Sequence, residues 1–244
     1  MAEAASRPAF YAAHPGPWRD WWTLLHPPYT AWHLSYVVLG ACLAPAVSIT
    51  RLLATVVAFL LAVGVAAHAL DEMHDRPLRT SIPNGALAAA SAVGLGGAVA
   101  LGGAGVSLVG WFLVPFIAAG ALLVLAYDLE WFGGLVHTDT GFALAWGSFP
   151  VLTSYFAQSG SFGPVAILAA AAAYGLTRAQ RSLSNRARLL RRRTAAVSGT
   201  LMLTTGSSQP IDRAYLLGPL EEALRALSWS IVLLAAALAV SRLI

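Results

Sequence analysis

The sequence predicts an all-α protein, a polytopic bundle of about seven membrane-spanning helices, each crossing needing roughly 20 apolar residues. Two observations carry this. Of 244 residues, 58% are hydrophobic and only 11% charged, with a mean hydropathy of +0.69, whereas soluble domains carry about 25% charged residues. The apolar residues also fall in long unbroken runs. An ordinary soluble enzyme is excluded, and so is disorder, which requires low hydrophobicity and high charge.

In chain order, residues 1–29 read as an N-terminal interfacial segment, and 30–244 as a single transmembrane helical domain. Within the first, Trp18-Arg19-Asp20-Trp21-Trp22 has the composition of an aromatic belt at the headgroup level. No basic region leads directly into an apolar stretch there, so a cleavable signal is not expected. Apolar runs near 31–49, 52–70, 86–105, 107–127, 135–157, 162–177 and 226–243 are the expected spans. The stretch 195–218 is too polar for a clear span, and Pro210 and Gly218-Pro219 suggest a broken helix or an interfacial segment. If it crosses, the count rises to eight. Glycine pairs such as Gly96-Gly97 and Gly102-Gly103 suit close helix packing in lipid. The lone Cys42 lies in an apolar run and offers no disulfide or redox motif.

The few charges sort by side. All 15 basic residues are arginine. The connections after spans one, three and five carry only Arg51. Those after spans two and six hold Arg76, Arg79, Arg178, Arg181, Arg186, Arg188 and Arg191 to Arg193. Basic loops belong on the cytoplasmic side, which also places Arg7, Arg19 and the N-terminus inside, in a cell inner membrane. The net charge of +4 follows from this topology and does not imply nucleic acid. The polar segments after spans two, four and six therefore share one face, as a cytoplasm-facing site requires.

The first segment carries the sharpest chemistry. Asp71 and Asp75 are four residues apart, on one helical face, with His68 in the same stripe and Glu72 beside it. Carboxylates at the end of an apolar helix need water, a cation or a partner charge. Two at this spacing suit Mg²⁺, which is commonly shared between one or two carboxylates and substrate phosphates. Pairing with Arg76 and Arg79 on a solvated helix end is the alternative. A His and carboxylate set with His137 would suit iron or zinc instead.

The string from His68 to Thr80 resembles the first aspartate-rich motif of the UbiA superfamily of intramembrane prenyltransferases, NDxxDxxxDxxxxRT. Asp71 and Asp75 match its second and third aspartates, and Arg79-Thr80 its Arg-Thr; His68 replaces the first aspartate. Leu25-His26-Pro27-Pro28-Tyr29-Thr30-Ala31-Trp32 is similar to the family's RPPTW opening. Tyr127-Asp128-Leu129-Glu130-Trp131 and Gly141 to Pro150 resemble its Y-x-x-x-K and G-x-x-x-x-W-G-x-x-P segments, with Trp131 at the lysine position. The resemblance covers roughly residues 20–180. It breaks at the second aspartate-rich motif, where the Ala173-Tyr174 start is kept but Arg178 and Arg181 stand among neutral residues.

The resemblance implies Mg²⁺-dependent ionisation of a prenyl diphosphate, then transfer of the isoprenoid to a lipophilic acceptor, or its cyclisation. Asp71, Asp75 and Asp128 would be catalytic, the first two holding the metal with help from His68 and Glu72. Arg79, Arg178 and Arg181 would bind diphosphate, since guanidinium chelates phosphate oxygens. Tyr127, Trp131, Trp146 and Tyr155 would line the isoprenoid and acceptor. The run from Arg186 to Arg193 is expected to rest on anionic lipid headgroups. Loss of the second acidic cluster leaves a non-catalytic lipid- or partner-binding protein of the same fold as the alternative.

Overall fold

The computed structural model describes residues 8–244; Arg7, read as part of the inner N-terminus, lies outside them. The protein is mostly helical. Helix α1 (Pro17–Leu24) opens the fold, with Trp18 and Trp22 exposed and Asp20 buried. Asp20 accepts hydrogen bonds from the Gly16 amide at 3.3 Å and from the Ser81 amide and hydroxyl at 2.8 and 2.5 Å. It thus caps its own helix and ties it to the loop before α4.

Helix α2 (Pro27–Cys42) starts where Pro27 and Pro28, whose missing N–H groups would have no intrahelical acceptor in the first turn, follow His26 in a left-handed conformation. It is the central element, burying Trp32, Tyr36, Val37 and Ala41. Its Gly40 lies against α6: a Cβ there would overlap the Ser154 hydroxyl and the Val151 carbonyl. Helix α3 (Ile49–Asp75) is capped by Ser48, passes through a π-helical stretch at Leu60–Ala67, and stops at Arg76 in a left-handed conformation. Helix α4 (Asn84–Val109) follows Pro83, and α5 (Val114–Asp128) is entered through a 3₁₀ turn at Trp111–Leu113. Positive φ angles at Glu130, Phe132, Gly133 and Gly134 then break the chain.

Helix α6 covers 139–159, begins with Thr138 accepting from the Gly141 amide, and is π-helical over Leu144–Ser148. Helix α7 (Pro164–Arg188) runs on into a π-helical turn at Leu189–Arg193. An exposed antiparallel hairpin, β1 (Gly199–Met202) and β2 (Ser208–Ile211), precedes α8 (Arg213–Leu243).

Among the described residues, four stretches rather than the seven expected are long and apolar enough to cross a membrane: Ile49–Asp75, Asn84–Val109, Trp111–Asp128 and Arg213–Leu243. The segment 195–218, expected to be a broken helix or an interfacial segment, is not a broken helix: Gly199–Met202 and Ser208–Ile211 pair as a hairpin, and α8 starts at Arg213, where Asp212 accepts from the Tyr215 amide at 2.8 Å. The basic run after the sixth apolar stretch is helical too.

At one end of the bundle, arginines satisfy exposed helix carbonyls, which carry partial negative charge. Arg51 donates to Leu108 O at 2.7 Å, to Gln158 O at 3.1 Å and to Ala157 O at 3.5 Å, joining the ends of α3, α4 and α6. Arg242 does the same for Ala44 and Pro45. The loops 76–83 and 129–138 and the basic turn of α7 gather at the other end.

Candidate functional site

At that second end lies a polar cavity of about 170 Å³. Its walls come from the 8–11 segment, the start of α2, the ends of α3 and α5, α6, the basic half of α7 and the start of α8. Each of the three π-helical stretches supplies wall residues: Val63 and Ala67 from the first, Trp146 from the second, Arg191 and Arg192 from the third. Such stretches concentrate at functional sites because they push side chains out of helical register.

Several expected residues meet here. His68, Asp71, Tyr127, Asp128, Trp146 and Arg181 all line the cavity, together with His137. Arg181 is held in place: its Nε donates to Asp139 Oδ1 at 3.0 Å and its guanidinium lies 4.5 Å from the centre of the Phe142 ring.

Others lie elsewhere. Asp75 is exposed and outside the cavity, because α3 has by then run past the bundle. Glu72 is buried but accepts three hydrogen bonds of 2.9 Å, from the Leu78 and Thr80 amides and the Thr80 hydroxyl, so it folds the following loop. Arg79 is exposed, and Arg178 reaches Asp139 at 3.8 Å on the outer surface. Trp131 is exposed in the left-handed turn, and Tyr155 packs with Ala44 and Ala166 in a separate cluster.

The basic run corrects the sequence expectation most clearly. Only Arg186 and Arg193 are exposed; Arg188, Arg191 and Arg192 line the cavity. Arg191 pairs with Glu221, both nearly buried. Arg188 and Arg192 have no carboxylate partner among the described residues; Arg188 donates to Asn185, and Arg192 to the Pro8 carbonyl at 3.1 Å. The signal was in the spacing: Arg181, Ser184, Arg188, Arg191 and Arg192 form one face of an α-helix. His26 and Tyr29, inside the stretch similar to the RPPTW opening, also line the cavity, as do His33 and Tyr11, which no motif marked.

Protonation follows from the geometry. His33, His68 and His137 place Nδ1 against the carbonyls of Trp146, Gly64 and Tyr127 at 2.8, 3.1 and 2.9 Å. A carbonyl only accepts, so Nδ1 carries the proton and Nε2 is the acceptor in each neutral ring. Burial, aided by the neighbouring His68 and the Arg192 and Arg188 charges, holds the His26 imidazole well below its usual range. It is neutral near pH 7. Burial also pushes the Tyr11 phenol well above its usual value.

Four polar atoms of the lining are buried without a hydrogen-bond partner: His26 Nε2, Tyr127 Oη, Asp128 Oδ2 and Gln180 Oε1. Buried polar groups are normally satisfied, and these face one space. Asp71 lies within electrostatic reach of Arg188 and Arg192, and Asp128 within reach of Asp71. Among the described residues, no group of three or more His, Cys, Asp or Glu could hold a metal ion on protein ligands alone. Of the Asp71 and Asp128 carboxylates in the lining, Asp128 carries the oxygen without a hydrogen-bond partner.

An apolar groove of about 200 Å³ adjoins the cavity, sharing Val63 and Trp146 with it, and runs between α3, α4, α5 and α6. The cavity is polar and cationic, and the neighbouring groove is apolar. No family model, curated protein or solved structure matches this chain.

Proposed function

We propose that this is an intramembrane prenyltransferase-like protein of the UbiA type, binding a prenyl diphosphate with its head in the polar cavity. The α2 to α8 helices would form a seven-span bundle in a cell inner membrane, the cavity facing the cytoplasm. The observation that carries the reading is the pair Arg188 and Arg192, two guanidiniums lining a cavity without carboxylate partners among the described residues. Charges in such a place call for a counter-charge, and a diphosphate supplies it with bidentate geometry.

Arg181, Arg188 and Arg192 bind the diphosphate oxygens. Mg²⁺, bound through Asp71 and the substrate phosphates, would supply further neutralisation of the leaving group. The allylic C–O bond breaks with its electron pair on the diphosphate oxygen, and the arginines stabilise that growing charge. Tyr127 and Trp146, in edge contact at 5.8 Å, face the developing carbocation. The acceptor nucleophile bonds to the allylic carbon and yields its proton to Asp128, whose Oδ2 has no other partner, so that Mg²⁺ would be held by Asp71 and the substrate phosphates alone. With no external acceptor, proton loss from a cyclised cation closes the reaction instead.

A second reading, binding without ionisation, is favoured by the arginines standing where the family carries its second acidic cluster. Purified protein assayed with prenyl diphosphates separates the two. Diphosphate release lost in Asp71→Asn and Asp128→Asn supports the enzyme. Tight binding without release, weakened by Arg188→Ala, supports the binding protein. No binding at all would overturn both.

A further inference from the structure

Helices wall most of the polar cavity, but one side is built differently. Residues 8–16 run as bends and turns without regular structure, and Pro8, Ala9, Phe10 and Tyr11 line the cavity. Hydrogen bonds hold this strap near both ends. Arg192 Nε donates to the Pro8 carbonyl at 3.1 Å, and the Ala13 amide donates to the Thr23 hydroxyl at 3.0 Å. Between them Phe10 lies edge-on to Tyr29, ring centres 6.3 Å apart, with the Arg225 guanidinium 5.1 Å from its centre. Tyr11 meets His26 and Tyr29 edge-on, each at 5.5 Å, and Ala9 and Ala12 are buried. The strap joins α1 through Pro15-Gly16-Pro17, where Gly16 has a φ of +156° that favours glycine. Helix α1 is itself tied down through Asp20 and Ser81, so a swing about Gly16 moves the strap and leaves α1 in place.

We propose that residues 8–13 are a lid that closes on the bound diphosphate head group, latched by Phe10, with the Pro8 carbonyl positioning Arg192. This rests on the prenyl diphosphate reading above. The donors of Arg192 support it. A guanidinium presents its N–H groups in a fixed fork. Pro8 takes only the Nε–H, which leaves the N–H groups of both terminal nitrogens for phosphate oxygens. Strap and ligand thus use different donors of one side chain. Closing the strap fixes the fork toward the cavity, and a bound anion holds Arg192 where Pro8 can accept from it. Segments without regular backbone pairing open locally at low free energy, and lids are drawn from them. A closed strap also keeps water, which would quench the allylic cation, out of the chamber.

The test uses the full chain in detergent with Cys42→Ala, so that Ala12→Cys supplies the one thiol. Ala12 is buried and does not line the cavity, so a ligand slows its labelling only by holding the strap shut. Labelling by a water-soluble maleimide tracks the open population. Geranylgeranyl diphosphate at about ten times its dissociation constant is expected to slow it about tenfold. Phe10→Ala should speed it roughly tenfold through lost aromatic and cation–π contacts, and should speed release of the diphosphate similarly. Arg225→Ala, at a half-exposed side chain, should do the same severalfold without touching the core. An Ala69→Cys thiol, fully buried in α3, should stay unlabelled in both variants, which separates strap opening from unfolding. Faster labelling of Ala12→Cys with ligand would make the strap a plug and overturn the proposal. Unchanged labelling despite binding seen by calorimetry, or equal speeding at Ala69→Cys, also overturns it; each of these leaves the head-group reading standing. If geranylgeranyl diphosphate does not bind, the head-group reading falls and the lid falls with it.

Discussion

Replacing Glu72 tests how the end of α3 is held beside the cavity. Its carboxylate is fully buried and accepts three hydrogen bonds of 2.9 Å from residues 78–80. Glu72→Ala leaves two amides and one hydroxyl without their acceptor. Hydrogen bonds to charged groups contribute about 1.5–3 kcal/mol each, but the lost bonds are not additive and water can enter the vacated space. A loss of about 3–5 kcal/mol is therefore expected, the range for breaking a buried charged network. Glu72→Gln keeps one acceptor oxygen for Thr80 and turns an amide NH₂ toward the Leu78 N–H, so about half of that loss remains. Thermal melts of the purified protein should show a drop of roughly 10 °C for the alanine variant, at about 2–4 °C per kcal/mol. The glutamine variant should fall between it and the wild type. Equal melting of all three would refute the reasoning, since it would mean that the loop does not depend on this carboxylate.

Three further outcomes follow from other contacts. Burial alone would raise the Asp20 carboxyl, but the Ser81 hydroxyl and amide and the Gly16 amide bring it below its ordinary value of 3.8. A depressed carboxyl stabilises the fold above that ordinary value and loses its contribution as pH falls through the lower folded one. The stability gap between wild type and Asp20→Asn should thus be constant at neutral pH and close only under strong acid. A gap that closes near neutrality would contradict this. Arg51→Ala removes the guanidinium joining α3, α4 and α6 and should cost about 1–3 kcal/mol, read as a lower denaturation midpoint; an unchanged midpoint would show the clamp to be idle. Gly40→Ala should lower stability by about 1–3 kcal/mol through overpacking against Val151 and Ser154, and Ser154→Gly should partly restore it; no rescue would place the strain elsewhere.

Much of the architecture was legible because apolar runs and helices coincide. The seven expected runs overlap helices, but among the described residues only four stretches are long and apolar enough to cross a membrane; the polar segments after the second, fourth and sixth runs line one cavity. Asp71, Tyr127, Asp128, Trp146 and Arg181 were found from motif and sidedness together. The remainder depended on where helices end. Asp75 shares a face with Asp71, but it sits about 6 Å further along, past the bundle and in solvent. Glu72 sits next to Asp71 in sequence yet about 100° around the helix, where the following loop claims it. Arg188, Arg191 and Arg192 read as headgroup contacts because a basic run after an apolar one usually is. Only the unbroken helix through Arg188, and the π turn beyond it, turn three of those arginines inward. The hairpin over 199–211 was hidden because its two strands are four residues each, carry no apolar–polar alternation and include Pro210.

The central claim, an amphiphilic anion held by Arg188 and Arg192, is tested most directly by one comparison. Geranylgeranyl diphosphate, geranylgeraniol and inorganic diphosphate are titrated into wild type and into the Arg188→Ala/Arg192→Ala double variant. The account predicts tight binding only of the complete molecule to the wild type, with a loss of at least about a hundredfold, roughly 2.7 kcal/mol, in the variant. Equal affinity of wild type and variant for geranylgeranyl diphosphate would contradict it.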